Sequence, residues 1–254
     1  MTKNHYYRRK KARRRRTPGC LPPILCLALM LLAAIAVINL DQKLPQADFA
    51  SISATPAATQ SMPDNRQGGY AAVLADEAPW YLTLVNKWNP LPEDYELSLV
   101  EVADGESVDA RIAEALTAML EAAEEAGLDP IVASGYRTAE KQQRLLDDEI
   151  AAYRQQGYGE SAAKELAEQW VSAPGTSEHQ LGIAVDLSGG CYDIYFWLQE
   201  NSYKYGFIYR YPGDKTGITG VANEPWHYRY VGVEAATDIY EQGLCLEEYL
   251  GQAR

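Results

Sequence analysis

A chain of 254 residues with 23 Lys/Arg, 35 Asp/Glu and three His has room for one good-sized domain plus appendages. Its charge of −12 is spread unevenly: nine basic residues lie within the first 16 positions, and the remainder carries 14 basic against 35 acidic residues, a net −21. So acidic a domain would repel phosphates, which argues against a nucleic-acid partner.

Residues 1–20 read as a basic cytoplasmic tail. From Leu21 to Leu40 the chain carries no charge and consists mostly of Leu, Ile, Ala and Val. Twenty helical residues span about 30 Å, the thickness of bilayer hydrocarbon. A basic block directly before such a span keeps the N-terminus in the cytoplasm and sends the rest outside. The expectation is therefore a single-pass membrane anchor. The rival is a cleaved signal peptide, since Ala34-Ile35-Ala36 loosely resembles a small-x-small site. Residues 41–78, rich in Ala, Ser, Thr, Pro, Gln and Asp, read as a flexible extracytoplasmic linker.

The folded domain is expected over 79–254. Tyr81 to Asn86 alternates as a strand would, and Asn89-Pro90-Leu91-Pro92 forces a turn. Ser107 is placed to cap a helix whose apolar positions Val108, Ile112, Leu116, Met119, Leu120 and Ala123 follow helical spacing, ended by Gly127. Ile131-Val132-Ala133 reads as a short buried strand. Thr138 caps a second helix to about Gln156, and a third runs from about Glu160 to Val171. Gly182 to Leu187 is a strand with Asp186 and Ala184 on one face. A helix from Tyr192 to about Tyr203, strands at Gly206–Tyr209 and Trp226–Val231, and a helix from Val233 to Gln242 complete the domain. Helices first, then short strands separated by loops, predict an α+β fold with a mostly antiparallel sheet. Cys191 and Cys245 lie in this exported part, where a disulfide is permitted; spacing leaves that pairing open.

The chemistry concentrates in two segments. His5 lies in the basic tail; the other two histidines are in Ser177-Glu178-His179-Gln180-Leu181-Gly182-Ile183-Ala184-Val185-Asp186 and in Glu224-Pro225-Trp226-His227. Two His and one Asp give a Zn²⁺ three protein ligands and leave the fourth position for water, as a catalytic zinc requires. Glu224, three residues before His227, is then placed to act as general base. The residues alone do not establish that the two segments meet.

Ser177-x-His179-x-x-Gly182-x-Ala184-x-Asp186 followed by Glu224-Pro225-Trp226-His227 resembles the VanY-type D-alanyl-D-alanine carboxypeptidases, zinc peptidases of the LAS group. The stretches Leu84-Val85-Asn86-Lys87-x-Asn89-Pro90-Leu91-Pro92, Ser134-Gly135-Tyr136-Arg137, Tyr205-Gly206-Phe207 and Arg210-Tyr211-Pro212 are similar to that family as well. The resemblance runs from about residue 82 to 232. It implies a LAS/hedgehog-like fold, one Zn²⁺ on His179, Asp186 and His227, and Glu224 as catalytic base. It further implies that Arg137 acts on the carbonyl oxygen or a substrate carboxylate, and that Ser177 and Gln142 bind substrate.

The expected activity is removal of the C-terminal D-alanine from peptidoglycan stem peptides outside the membrane. Alternatives are an L,D-carboxypeptidase acting on tetrapeptide stems, a D,D-dipeptidase, and a non-catalytic wall-peptide binding module with structural zinc.

Overall fold

Four short strands build the sheet on which the site rests. The computed structural model describes residues 79–253. The expected tail (1–20), span (21–40) and linker (41–78) lie outside them, as do His5, Cys20 and Cys26, and no described helix is long and apolar enough to cross a membrane. Leu99–Glu101 (β1) and Ser107–Asp109 (β2) pair as an antiparallel hairpin, followed by Ala113–Glu125 (α1) and Pro130–Ser134 (β3). Ala139–Gln155 (α2) and Glu160–Ala167 (α3) pack on each other. Then come Ala184–Gly189 (β4), Asp193–Asn201 (α4), Phe207–Tyr209 (β5), Thr216–Thr219 (α5), His227–Tyr230 (β6), Val233–Gln242 (α6) and Leu246–Tyr249 (α7).

The sheet order is β3-β4-β6-β5, with every neighbouring pair antiparallel. The predicted α+β class with an antiparallel central sheet is what forms. Side chains on a strand alternate between faces. Val185, Leu187 and Tyr228 turn to the main core, where they meet Ile112, Leu116, Met119 and Ala123 from around α1, and Ile194 and Leu198 of α4. Burying each large aliphatic side chain contributes about 1.5–3 kcal/mol. A second cluster joins Leu82, Leu84 and Ile208 to α6 and α7 through Val231, Ala236, Ile239, Leu246 and Leu250.

Three predicted elements differ. Tyr81–Asn86 is no strand: Trp80–Leu82 forms a 3₁₀ turn, and beyond it only Asn86 makes an isolated bridge, to Asn89. The Arg229 guanidinium, donating to Tyr81 O at 3.0 Å and Thr83 O at 2.8 Å, occupies carbonyls that a partner strand would have used. The first helix starts at Ala113 rather than near Ser107, because Ser107–Asp109 pairs with β1 and Asp109 turns the chain by accepting from Arg111 N at 2.9 Å. The third helix stops at Ala167, short of Val171. Thr138 does cap α2, its hydroxyl accepting from Lys141 N at 3.2 Å. Cys191 and Cys245 are free thiols, the first half-buried and the second buried.

Gly182 joins the small hairpin to the site segment. It adopts φ +70°, and a Cβ there would lie 3.0 Å from Asp109 N, so only glycine fits without displacing backbone. Its carbonyl accepts from that same Asp109 N at 2.8 Å.

Candidate active site

Strand register places the polar residues in a row. Ser134 on β3 stands opposite Asp186 on β4, and Asp186 opposite His227 on β6. Arg210, just past β5, continues the row by donating its backbone N–H to His227 O at 3.2 Å. A register shift between Val132 and Ser134 brings Ser134 into line, and such bulges commonly re-aim side chains beside active sites. Since 186 and 227 face away from the core, their side chains meet in a cleft of about 250 Å³.

His179 enters the same cleft from the 3₁₀ turn Glu178–Leu181 that precedes β4. Its Nδ1 lies 2.7 Å from Gly135 O, so that nitrogen carries the proton and donates, leaving Nε2 with a lone pair. That Nε2 is buried without a hydrogen-bond partner among the described residues and stands 3.3 Å from Asp186 Oδ1. His227 presents Nδ1 to the same oxygen at 3.1 Å. The two imidazoles lie nearly perpendicular, their centroids 4.9 Å apart. One donor atom from each of His179, Asp186 and His227 falls within 4.8 Å of the others. A buried imidazole lone pair with no partner, facing a carboxylate and a second imidazole, fits a divalent metal that takes nitrogen and oxygen ligands.

The electrostatics follow from burial and from these contacts. Burial works against ionised Asp186, but attraction to and hydrogen bonding with both imidazoles hold its pKa well below the carboxylate range. Burial lowers that of His179, aided by the Arg137 charge and opposed by Asp186. Burial disfavours a charged His227 as well, yet the negative oxygens of Asp186 and Glu178, with Glu224 nearby, push it up to about 9.

Glu224 is 6% exposed and lines the cleft, with Oε2 3.7 Å from His227 Nδ1. Burial raises its carboxyl to about 8, against the pull of His227 and Arg137 and with the push of Asp186 and Glu178. A buried carboxyl with raised affinity for a proton has the property a general base requires.

Arg137 donates from Nε to Ser134 Oγ at 2.9 Å, and its NH2 pairs with Asp186 Oδ2. Ser177 starts the turn that carries His179, makes no capping hydrogen bond with its side chain, and lines the cleft. Gln142 sits in the first turn of α2 with 1% exposure; its Nε2 donates to Ser172 O at 2.7 Å, tying α2 to the opposite wall.

All seven sequence-predicted site residues thus line one cleft. Sequence reading missed two of its neighbours. Glu178, fully buried, stands behind His227, and the Tyr211 ring lies 4.8 Å from the His227 ring. Both positions were inside quoted motifs, and only the fold reveals what they touch.

Residues 105–233 match the VanY family, described as D-alanyl-D-alanine carboxypeptidase. A D-alanyl-D-alanine carboxypeptidase of Enterococcus faecalis is 54% identical over 193 residues, 74% of this chain and 72% of that protein. The chain belongs to the VanY family. Solved VanY structures share its fold. VanYB in complex with D-alanine-D-alanine superposes with a TM-score of 0.67 at 56% identity, covering 68% of this chain and 98% of VanYB. A mutant of the vancomycin-resistance D,D-pentapeptidase VanY in complex with Zn(II) gives 0.66 at 57% identity, covering 67% and 99%.

Proposed function

We propose that this VanY-family chain is a zinc-dependent D-alanyl-D-alanine carboxypeptidase that removes the terminal D-alanine from peptidoglycan stem peptides. The observation that carries it is the meeting of His179 Nε2, Asp186 Oδ1 and His227 Nδ1 in a cleft that also holds Glu224. Three protein ligands beside a carboxylate of raised pKa make a catalytic arrangement; a structural zinc takes four protein ligands and needs no base. His179, Asp186 and His227 would hold the zinc, which would supply a more acidic water and polarisation of the scissile carbonyl.

In this reading the chain's own residues divide the remaining work. Glu224 accepts the proton of the attacking water and passes it to the departing amine of D-alanine. Arg137, anchored on Ser134, holds a positive charge where the carbonyl oxygen becomes negative, an effect worth about 10²–10³ in rate. The Ser177 hydroxyl donates to the terminal carboxylate of the substrate. Gln142 keeps Ser172 against α2 and so fixes the cleft's width around the peptide.

We further place the domain outside the cytoplasmic membrane, tethered by residues 21–40. That reading is supported by the uncharged apolar run directly after the basic block and by a substrate that lies in the wall.

The test offers zinc-loaded protein pentapeptide and tetrapeptide stems and follows released D-alanine by mass, with Glu224→Ala and a chelator as controls. Release from the pentapeptide alone, abolished in both controls, is expected. Release from the tetrapeptide would move the assignment to the L,D class. No release from either, with zinc retained, would leave a binding module.

A further inference from the structure

Behind the metal-binding face lies a group of buried charges that the steps above leave unused. Glu178 neighbours His179 in sequence, but its carboxylate is held against the other histidine. Its side chain has no exposure; Oε1 accepts from Arg210 Nε at 2.8 Å and is 2.9 Å from Arg229 Nη1. Oε2 has no hydrogen-bond partner and lies 3.6 Å from His227 Nε2. At that distance the contact is an attraction of charge for the ring N–H rather than a formed hydrogen bond.

The arginines are fixed in turn. Arg229 lies two residues after His227 on β6, so both side chains share the strand's cleft face, and Arg229 also donates to Tyr81 O and Thr83 O. Arg210 forks onto Glu247 of α7 at 2.9 and 2.7 Å, and Glu247 Oε1 accepts from Asn86 Nδ2 at 3.1 Å. Two guanidiniums balance two carboxylates in a region closed to water. Arg210 and Arg229 leave the Glu178 carboxylate one place to stand, with its second oxygen toward His227.

We propose that Glu178 is a positioning residue for His227. Its negative Oε2 favours the tautomer with the proton on Nε2, which leaves the Nδ1 lone pair directed at Asp186 and the metal. Carboxylates behind a metal-bound imidazole commonly raise metal affinity tenfold to a hundredfold. This inference rests on the proposed role of His227 as a zinc ligand.

The experiment compares the full chain with Glu178→Gln and Glu247→Gln. Each variant removes one carboxylate from the same network, but only the first changes the group facing His227. Zinc affinity is read by competition with a chelator, thermal stability in the metal-free state, and kcat and KM at saturating zinc. Both variants are expected to lose metal-free stability. Only Glu178→Gln weakens zinc binding, by about tenfold to a hundredfold, and lowers kcat without raising KM.

Equal loss of zinc affinity in both variants, or none in Glu178→Gln, would overturn the inference. Should Glu178→Gln fail to fold, Glu178→Asp keeps the charge while withdrawing it from His227. It is expected to weaken zinc binding with little loss of stability, and unchanged affinity there overturns the inference as well. Failure of the unaltered chain to bind zinc would instead remove the reading on which the inference stands.

Discussion

Asp186 and His227 stand directly opposite each other on adjacent antiparallel strands, with Asp186 Oδ1 3.1 Å from His227 Nδ1. Cross-strand neighbours on one face are close enough for their side chains to act as a pair, so sheet register alone sets this distance. Asp186 also holds Arg137 through its other oxygen. Removing the carboxylate therefore deprives the site of a proposed metal ligand and frees the guanidinium at once. Asp186→Ala is expected to lose bound zinc on dialysis and all D-alanine release. Metal analysis and the peptide assay read the outcome, and retained zinc would contradict the ligand assignment.

Arg137→Lys separates charge from geometry. Lysine keeps a positive charge but has no fork with which to reach Ser134 Oγ and Asp186 together. The expected result is a fall in kcat of about 10²–10³ with zinc content unchanged. Steady-state kinetics on the pentapeptide measure it, and wild-type kcat would show that the fork onto Ser134 and Asp186 has no part in the transition state.

Gly135 connects the β1–β2 hairpin to His179. A Cβ at this position would come within 2.2 Å of Ser107 O, a backbone atom, while the Gly135 carbonyl is the acceptor for His179 Nδ1. Gly135→Ala must shift the loop and with it the imidazole. A stability loss of about 1–3 kcal/mol is expected, as for overpacking elsewhere, accompanied by weaker zinc binding. Thermal melts with and without zinc separate the two effects.

Acid stability depends on Glu247. Burial alone would raise its pKa, but attraction to and hydrogen bonding with Arg210 hold it below the ordinary 4.5. A folded pKa below the unfolded one contributes stability that is complete above the unfolded value and is lost as pH falls through the folded one. In metal-free protein, Glu247→Gln is expected to be about 3–5 kcal/mol less stable near neutrality, the usual penalty for breaking a buried pair. The gap from wild type should narrow as the pH drops below about 4.5. Urea titrations across that range test it, and a constant gap would disconnect Glu247 from the acid limb.

The sequence was most informative where rare residue types carried the chemistry. With one histidine in the tail and two in the domain, the pair proposed to bind zinc could be picked out, and the alternation around Asp186 placed it on one face with Ala184. Helix α6 was equally clear, because its apolar spacing begins and ends between glycines. The strand expected at Tyr81–Asn86 failed for a reason no local pattern contains. Its carbonyls bond to an arginine side chain almost 150 residues away. The first helix began late because Val108 satisfies both a helical and a strand period, and the pairing Val100↔Val108 decided between them. Glu178, Arg210, Arg229 and Glu247 were invisible as a group: each reads alone as an ordinary surface charge, and only folding brings them together.

The dependence of Arg210 on Glu247 also sets an order in time. A ribosome delivers Glu178, Arg210 and Arg229 before it has made Glu247, so until then the group lacks one of the two carboxylates that balance its guanidiniums. The cleft's residues are all translated by His227, yet the support behind them is electrically incomplete for another twenty residues. A nascent chain halted between His227 and Glu247 would carry every residue that lines the cleft over a charge group still missing the carboxylate that holds Arg210.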